Sequence, residues 1–136
     1  MSRLVIDTNV LLSSFISSGP PRLIVNRIRD QLDQLCLSQP ILQEYVIVLR
    51  RESVTEGLLA SLVSLLQDPD RVLLVFPSER VEIIREDPSD NMFLECAMEA
   101  RADYIISGDR HLRKLKSFHG IEIIAPREYV LRLRAE

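Results

Sequence analysis

The chain has 136 residues, 46% hydrophobic and 27% charged, the size and balance of one globular domain with a buried core. Its net charge of −3 excludes a global attraction to nucleic acid, and no apolar run approaches the ~18 residues a membrane span needs. No signal-peptide pattern opens the sequence, so a cytoplasmic location is expected. Cys36 and Cys96, which lack CxxC spacing, are then expected to be buried free thiols.

Strand and helix patterns alternate from end to end, as in βαβ units around a parallel sheet. Leu4-Val5-Ile6 is an unbroken apolar run, the pattern of a strand covered on both faces. Val10 to Ile16 reads as a helix that stops near Ser17-Ser18-Gly19-Pro20-Pro21. The next helix runs from about Arg22 to Gln31, with Leu23, Ile24, Ile28 and Leu32 at helical spacing. Leu35-Cys36-Leu37 is the second strand; Ser38 as N-cap and Pro40 in the first turn open a helix to about Arg51.

Thr55 caps a further predicted helix, whose apolar face is Leu58, Leu59, Leu62, Val63, Leu65 and Leu66 and which ends at Asp68-Pro69-Asp70. Val72 to Phe76 is the third strand, while Val81 to Ile84 is too short to assign. Asp87-Pro88-Ser89-Asp90 opens a helix to Arg101, and Tyr104 to Ser107 is the fourth strand. A short helix after Gly108-Asp109, a fifth strand at Glu122-Ile123-Ile124 and a terminal helix from Pro126 complete the chain. The expected architecture is a three-layer α/β/α sandwich around a parallel sheet of about five strands, as one domain over residues 1–136.

Four acids, Asp7, Glu44, Asp90 and Asp109, each stand where a strand has just ended or the following helix has just begun. Loops at the carboxyl ends of parallel strands converge on one crevice. Each acid alone could be a helix cap or an ion-pair partner. Four at equivalent ends of successive βα units are harder to explain as independent caps. Gathered together they would repel one another unless a cation sat between them. Mg²⁺ or Mn²⁺, which take oxygen ligands, are the usual choice.

Glu44 is flanked by Ile41, Ile47 and Val48 on one helix face, and a carboxylate in an apolar stripe needs a cation, a proton or a place at the stripe's edge. Thr8 and Asn9 could orient Asp7. Asp87 adds a fifth acid three residues before Asp90. Such a site suits hydrolysis of phosphate esters. The basic run Arg110-His111-Leu112-Arg113-Lys114 directly after Asp109 suits a polyanionic substrate, with Arg110, Arg113 and Lys114 as candidate contacts; a solvated helix face is the plainer reading. His111 and His119 could act as acid or base, or contact phosphate from the surface. With aromatics at 5% and no Trp, stacking on aromatic platforms is not expected to dominate.

Together the segments Val5-Ile6-Asp7-Thr8-Asn9-Val10-Leu11, Ser38 to Tyr45, Asp87 to Ala97, Ala102 to Asp109 and Ile124 to Val130 resemble the PIN domain, in particular the VapC-like toxin ribonucleases. The resemblance implies a metal-dependent ribonuclease in which Asp7, Glu44, Asp90 and Asp109 bind Mg²⁺ or Mn²⁺, with Asn9 and Ser107 supporting them. Ser107 stands where threonine is commoner, and Asp87 belongs to the subgroup's motif. It also implies an RNA substrate, a partner antitoxin that blocks the site and a homodimer formed through the helices from Arg22 to Leu66. A non-catalytic RNA- or protein-binding module, or an RNA-processing nuclease outside toxin–antitoxin systems, are the alternatives. A receiver domain or an Asp-x-Asp phosphatase fits poorly, since Asp7-Thr8-Asn9 and Phe76-Pro77 stand where those folds need acids.

Overall fold

The computed structural model describes residues 1–52 and 54–135. Six strands form one sheet: β1 (Ser2–Ile6), β2 (Asp33–Leu37), β3 (Val72–Leu74), β4 (Tyr104–Ile106), β5 (Ser117–Phe118) and β6 (Ile121–Ile124), in spatial order β3-β2-β1-β4-β6-β5. All pairings are parallel except that of β5 with β6. Leu4, Val5 and Ile6 are all fully buried. Successive side chains point to opposite faces, so helices must cover both, which makes three layers.

The helices are α1 (Thr8–Ile16), α2 (Pro20–Arg29), α3 (Gln39–Arg51), α4 (Glu56–Leu66), α5 (Asn91–Ala100), α6 (Arg110–Arg113) and α7 (Pro126–Ala135). A 3-10 turn over Pro88–Asp90 leads into α5. Helix α5 lies across β1, β2 and β4, while α2 packs on α7 and on α1. Tyr45, fully buried on α3, donates its hydroxyl to the carbonyl of Ile6 and so pins α3 to the end of β1. Both cysteines are buried and free. Among the described residues no helix is long and apolar enough to cross a membrane.

The strand order places the topological switch between β1 and β4, where the chain turns from one side of the sheet to the other. The carboxyl ends flanking such a switch open a crevice. Asp7 directly follows β1 and Ser107 directly follows β4, and Asp7 N–H donates to the Ile106 carbonyl at 3.1 Å.

Several expectations shift. The sheet has a sixth strand, β5, joined to β6 by the two-residue loop His119-Gly120, whose φ values of 52° and 80° are both positive. That is the signature of a type I′ hairpin, and a two-residue strand is too short to leave a periodic signal. Strand β3 stops at Leu74 rather than Phe76, whose side chain is 74% exposed. Leu23 and Leu32 are exposed; Leu32 lies past α2, which ends before Gln31 takes a left-handed φ of 60°. On α4 the buried side chains are Leu62 and Leu65, while Leu58 and Val63 are exposed.

The unassigned stretch Val81 to Ile84 has no regular structure but is not loose. Three residues one turn apart on α5 hold its backbone and that of the preceding segment. Asn91 accepts from Ile84 N–H at 3.0 Å, Glu95 from Val81 N–H at 2.8 Å and Glu99 from Ser78 N–H at 2.9 Å. Asn91 also donates to the carbonyls of Ile84 and Pro88. The acids at 95 and 99 therefore serve the loop.

Candidate active site

At the switch point a cavity of about 170 Å³ is lined by Asp7, Glu44, Asp87, Asp90 and Asp109, with Thr8, Asn9, Val48, Arg51, Ser89 and Phe93. Five carboxylates face one guanidinium there. Each acid is delivered by a local rule. Asp7 has extended backbone and caps α1, its Oδ1 accepting from Val10 N–H at 2.9 Å, where the helix dipole favours a negative charge. Glu44 lies on α3 and accepts the Thr8 hydroxyl. Asp90 ends the 3-10 turn, and Asp109 caps α6 through the N–H groups of His111 at 2.7 Å and Leu112 at 3.3 Å.

Ser107 ties two of these acids together. It is fully buried, donates its hydroxyl to Asp7 Oδ2 and accepts from Asp109 N–H at 2.9 Å. The hydroxyl, which threonine would also supply, thus fixes the Asp7 side chain and the start of the Asp109 loop at once.

Asp90 is different. Its side chain is 8% exposed and Oδ2 has no hydrogen-bond partner. Burial, then the neighbouring carboxylates of Asp109, Asp87, Asp7 and Glu44, push its pKa from 3.8 up to about 7. Asp7 is also raised, chiefly by burial, although the Ser107 and Val10 hydrogen bonds pull the other way. A buried carboxylate with an unpartnered oxygen is costly unless a cation or proton meets it. His111 adds a buried Nδ1 without a partner, and one ligand atom each from Asp90, Asp109 and His111 lie within 4.8 Å of one another. A carboxylate-rich donor set fits a hard divalent ion such as Mg²⁺ or Mn²⁺. Asp7 and Glu44 line the same cavity outside that trio, and their oxygens accept hydrogen bonds from Val10 N–H, Ser107 and Thr8.

The structure brings Asp7, Asn9, Glu44, Asp87, Asp90 and Asp109 to one cavity, with Ser107 beneath it. Asp87 is exposed and accepts the Ser89 hydroxyl at 2.6 Å. Glu44 is half-buried rather than sunk in an apolar stripe, because Ile47 is 61% exposed. Its partner is a threonine hydroxyl in place of a salt bridge. The basic residues do not line the cavity: Arg113 pairs with Glu128 at 3.4 Å, Lys114 with Glu86 at 3.8 Å, and Arg110 is exposed. His119 belongs to the β5–β6 turn and has no place in the site. Arg51 was not among the sequence candidates, although Glu44, Val48 and Arg51 follow an i, i+4, i+7 spacing that puts them on one helix face.

No curated protein matches the chain. The PIN domain is a nuclease fold whose members typically depend on divalent metal ions, which agrees with the acidic cavity. A family model described as PIN domain matches residues 3–111, a span that runs from β1 into α6 and includes all five acids and Ser107, and the chain belongs to the PIN domain family.

Proposed function

We propose that the chain is a metal-dependent endoribonuclease that hydrolyses RNA phosphodiester bonds at the acidic cavity, and that it is the toxin of a cytoplasmic toxin–antitoxin pair. The observation that carries the nuclease reading is Asp90, a buried carboxylate with an unpartnered oxygen among four further carboxylates. Asp7, Glu44, Asp90 and Asp109 are the residues to hold Mg²⁺ or Mn²⁺. A bound divalent ion supplies charge neutralisation at the phosphate and activates water as a nucleophile.

The remaining chemistry belongs to the chain itself. Ser107 and Val10 N–H fix both oxygens of Asp7, and Thr8 fixes Glu44, so two of the four ligands are oriented before a substrate arrives. Asn9 is exposed at the mouth, where its amide can meet a phosphate oxygen. Arg51 is the basic residue of the cavity wall and offers a guanidinium to the same phosphate. Arg110, Arg113 and Lys114 lie outside the cavity and can track the flanking backbone.

The toxin role draws support from the VapC-like segments and from the charge of the cavity, which would accept a basic side chain of an antitoxin. A homodimer through exposed Leu58 and Val63 of α4 is part of the same reading.

Single-stranded RNA incubated with the purified protein is expected to be cut with Mg²⁺ or Mn²⁺ and to stay whole in EDTA. Cutting that persists in EDTA would overturn the reading. Ser107→Ala is expected to lower kcat/KM by about 10–100-fold with the fold intact. Ser107→Thr, which keeps the hydroxyl, should retain most activity. Equal losses in the two variants would show that the hydroxyl is not what matters.

A further inference from the structure

Among the described residues three buried side-chain atoms lack a hydrogen-bond partner, and two of them, Asp90 Oδ2 and His111 Nδ1, belong to residues of one cluster. Asp109 completes it, with one ligand atom from each of the three residues within 4.8 Å of the others. Asp90 is 8% exposed, so bulk water does not relieve its free oxygen.

Local structure explains the place of His111. Its backbone N–H donates to Asp109 Oδ1 at 2.7 Å, which holds the ring beside that carboxylate, with Nδ1 3.8 Å from the same oxygen. That separation is too long for a hydrogen bond. A ring nitrogen either donates or accepts, and Nδ1 does neither. With a proton it is a buried donor lacking an acceptor; without one, its lone pair faces carboxylates. A single divalent ion would remove either fault and meet the Asp90 carboxylate as well. Two metal–ligand bonds of about 2.1 Å span up to about 4.2 Å, so the 3.8 Å gap is within reach of one ion.

We propose that His111 is a nitrogen ligand of the divalent ion held by Asp90 and Asp109, and that this ligand makes the centre prefer Mn²⁺ to Mg²⁺. The inference rests on the metal-centre reading above and adds one residue and one preference to it. The acids offer only oxygen, which suits both ions. Imidazole nitrogen is a softer donor that transition-metal ions accept, whereas Mg²⁺ keeps to oxygen ligands and gives up its waters reluctantly. His111 therefore adds affinity for Mn²⁺ and little for Mg²⁺. His119, the other histidine of the chain, is exposed in the β5–β6 turn and offers this cluster no second nitrogen.

The test reads metal binding with no RNA present. Pulsed electron paramagnetic resonance of Mn²⁺ on the whole protein should show the coupling of a directly bonded nitrogen. His111→Asn, which puts an oxygen near the place of Nδ1, should lose that coupling, and His119→Asn should keep it. In calorimetric titrations wild type should bind Mn²⁺ about tenfold or more tighter than Mg²⁺. His111→Asn should weaken Mn²⁺ by about tenfold or more and leave Mg²⁺ nearly unchanged. The proposal is overturned if wild type shows no nitrogen coupling, or if the coupling persists in His111→Asn. It is also overturned if that variant, with unchanged circular dichroism, loses both ions alike. An imidazolium beside the carboxylates, the other way to offset their charge, gives the first of these results. Because no cleavage is measured, the outcomes separate. A protein that cuts RNA with metal but shows no nitrogen coupling keeps the nuclease and loses this ligand; nitrogen-bound Mn²⁺ in a protein that never cuts does the reverse.

Discussion

Asp90→Asn should make the metal-free protein more stable at pH 8 while removing its RNA cleavage. The folded pKa of Asp90 is about 7 against 3.8 for the free group, so the native state holds this proton more tightly than the unfolded chain does. The stabilisation from that proton is complete below pH 3.8 and is lost as pH rises through about 7. Above that, the wild type carries a buried charge that the amide does not. One pKa unit corresponds to about 1.4 kcal/mol, but the carboxyl borders an open cavity, and screening reduces the gain to about 1–2 kcal/mol.

Thermal unfolding in EDTA at pH 8 should therefore show the variant melting about 5 °C higher, with the difference closing near pH 4. Millimolar Mn²⁺ should reverse the order, raising the Tm of the wild type and leaving the variant nearly unmoved, because binding to the native state stabilises it. A variant that is less stable than wild type at pH 8 would mean that Asp90 is satisfied within the protein and is not held ready for a cation.

The second large effect lies at the opposite end of the sheet. Asp33, the first residue of β2, is 1% exposed and accepts from Arg27 Nε at 2.8 Å, the Tyr129 hydroxyl at 2.7 Å and Ser2 N–H at 3.2 Å. One carboxylate thus joins α2, α7 and the start of β1. Tyr129 is itself buried and stacks edge-on against Tyr104 with ring centroids 5.2 Å apart.

Asp33→Ala would leave the Tyr129 hydroxyl buried without an acceptor and Arg27 without its counter-charge, a loss of about 3 kcal/mol. Urea unfolding should show the midpoint falling with m unchanged. Tyr129→Phe, which removes one of the three bonds, should cost about 1 kcal/mol. The acidic cavity is remote from this network, so cleavage by the fraction that remains folded should match wild type. A loss below about 1 kcal/mol for Asp33→Ala would mean that the network contributes little beyond what water gives the unfolded chain.

These two carboxylates mark what the sequence discloses and what it withholds. Asp7, Asp90 and Asp109 were legible because each sits at a strand end or helix start, a place that local rules define. Glu44 was legible because it stands out from apolar neighbours at helical spacing. The parallel sheet was legible in the unbroken apolar runs around Val5, Cys36 and Ile105.

Asp33 was not, because its partners Arg27 and Tyr129 lie 6 and 96 residues away, a relation no local pattern carries. The link from Ser107 to Asp7, also 100 residues apart in sequence, has the same cause. The β5–β6 hairpin was hidden by its brevity. Its one signal was the pair His119-Gly120, two residue types that tolerate positive φ. The chain of bonds from Asn91, Glu95 and Glu99 to the 78–84 backbone was hidden by chemistry, since acids beside Asp90 read more readily as further ligands than as loop clamps.

If Asp7, Glu44, Asp90 and Asp109 act as one metal-dependent nuclease centre, one comparison tests it most directly. A single labelled RNA is incubated with wild type and with Asp7→Asn at equal Mn²⁺, after circular dichroism and the melting curve show both folded. Wild type should cut, and the variant should be at least a hundredfold slower, about 3 kcal/mol in the barrier. Equal rates would contradict the claim, because the acid fixed most firmly at the switch point would then be irrelevant to the chemistry.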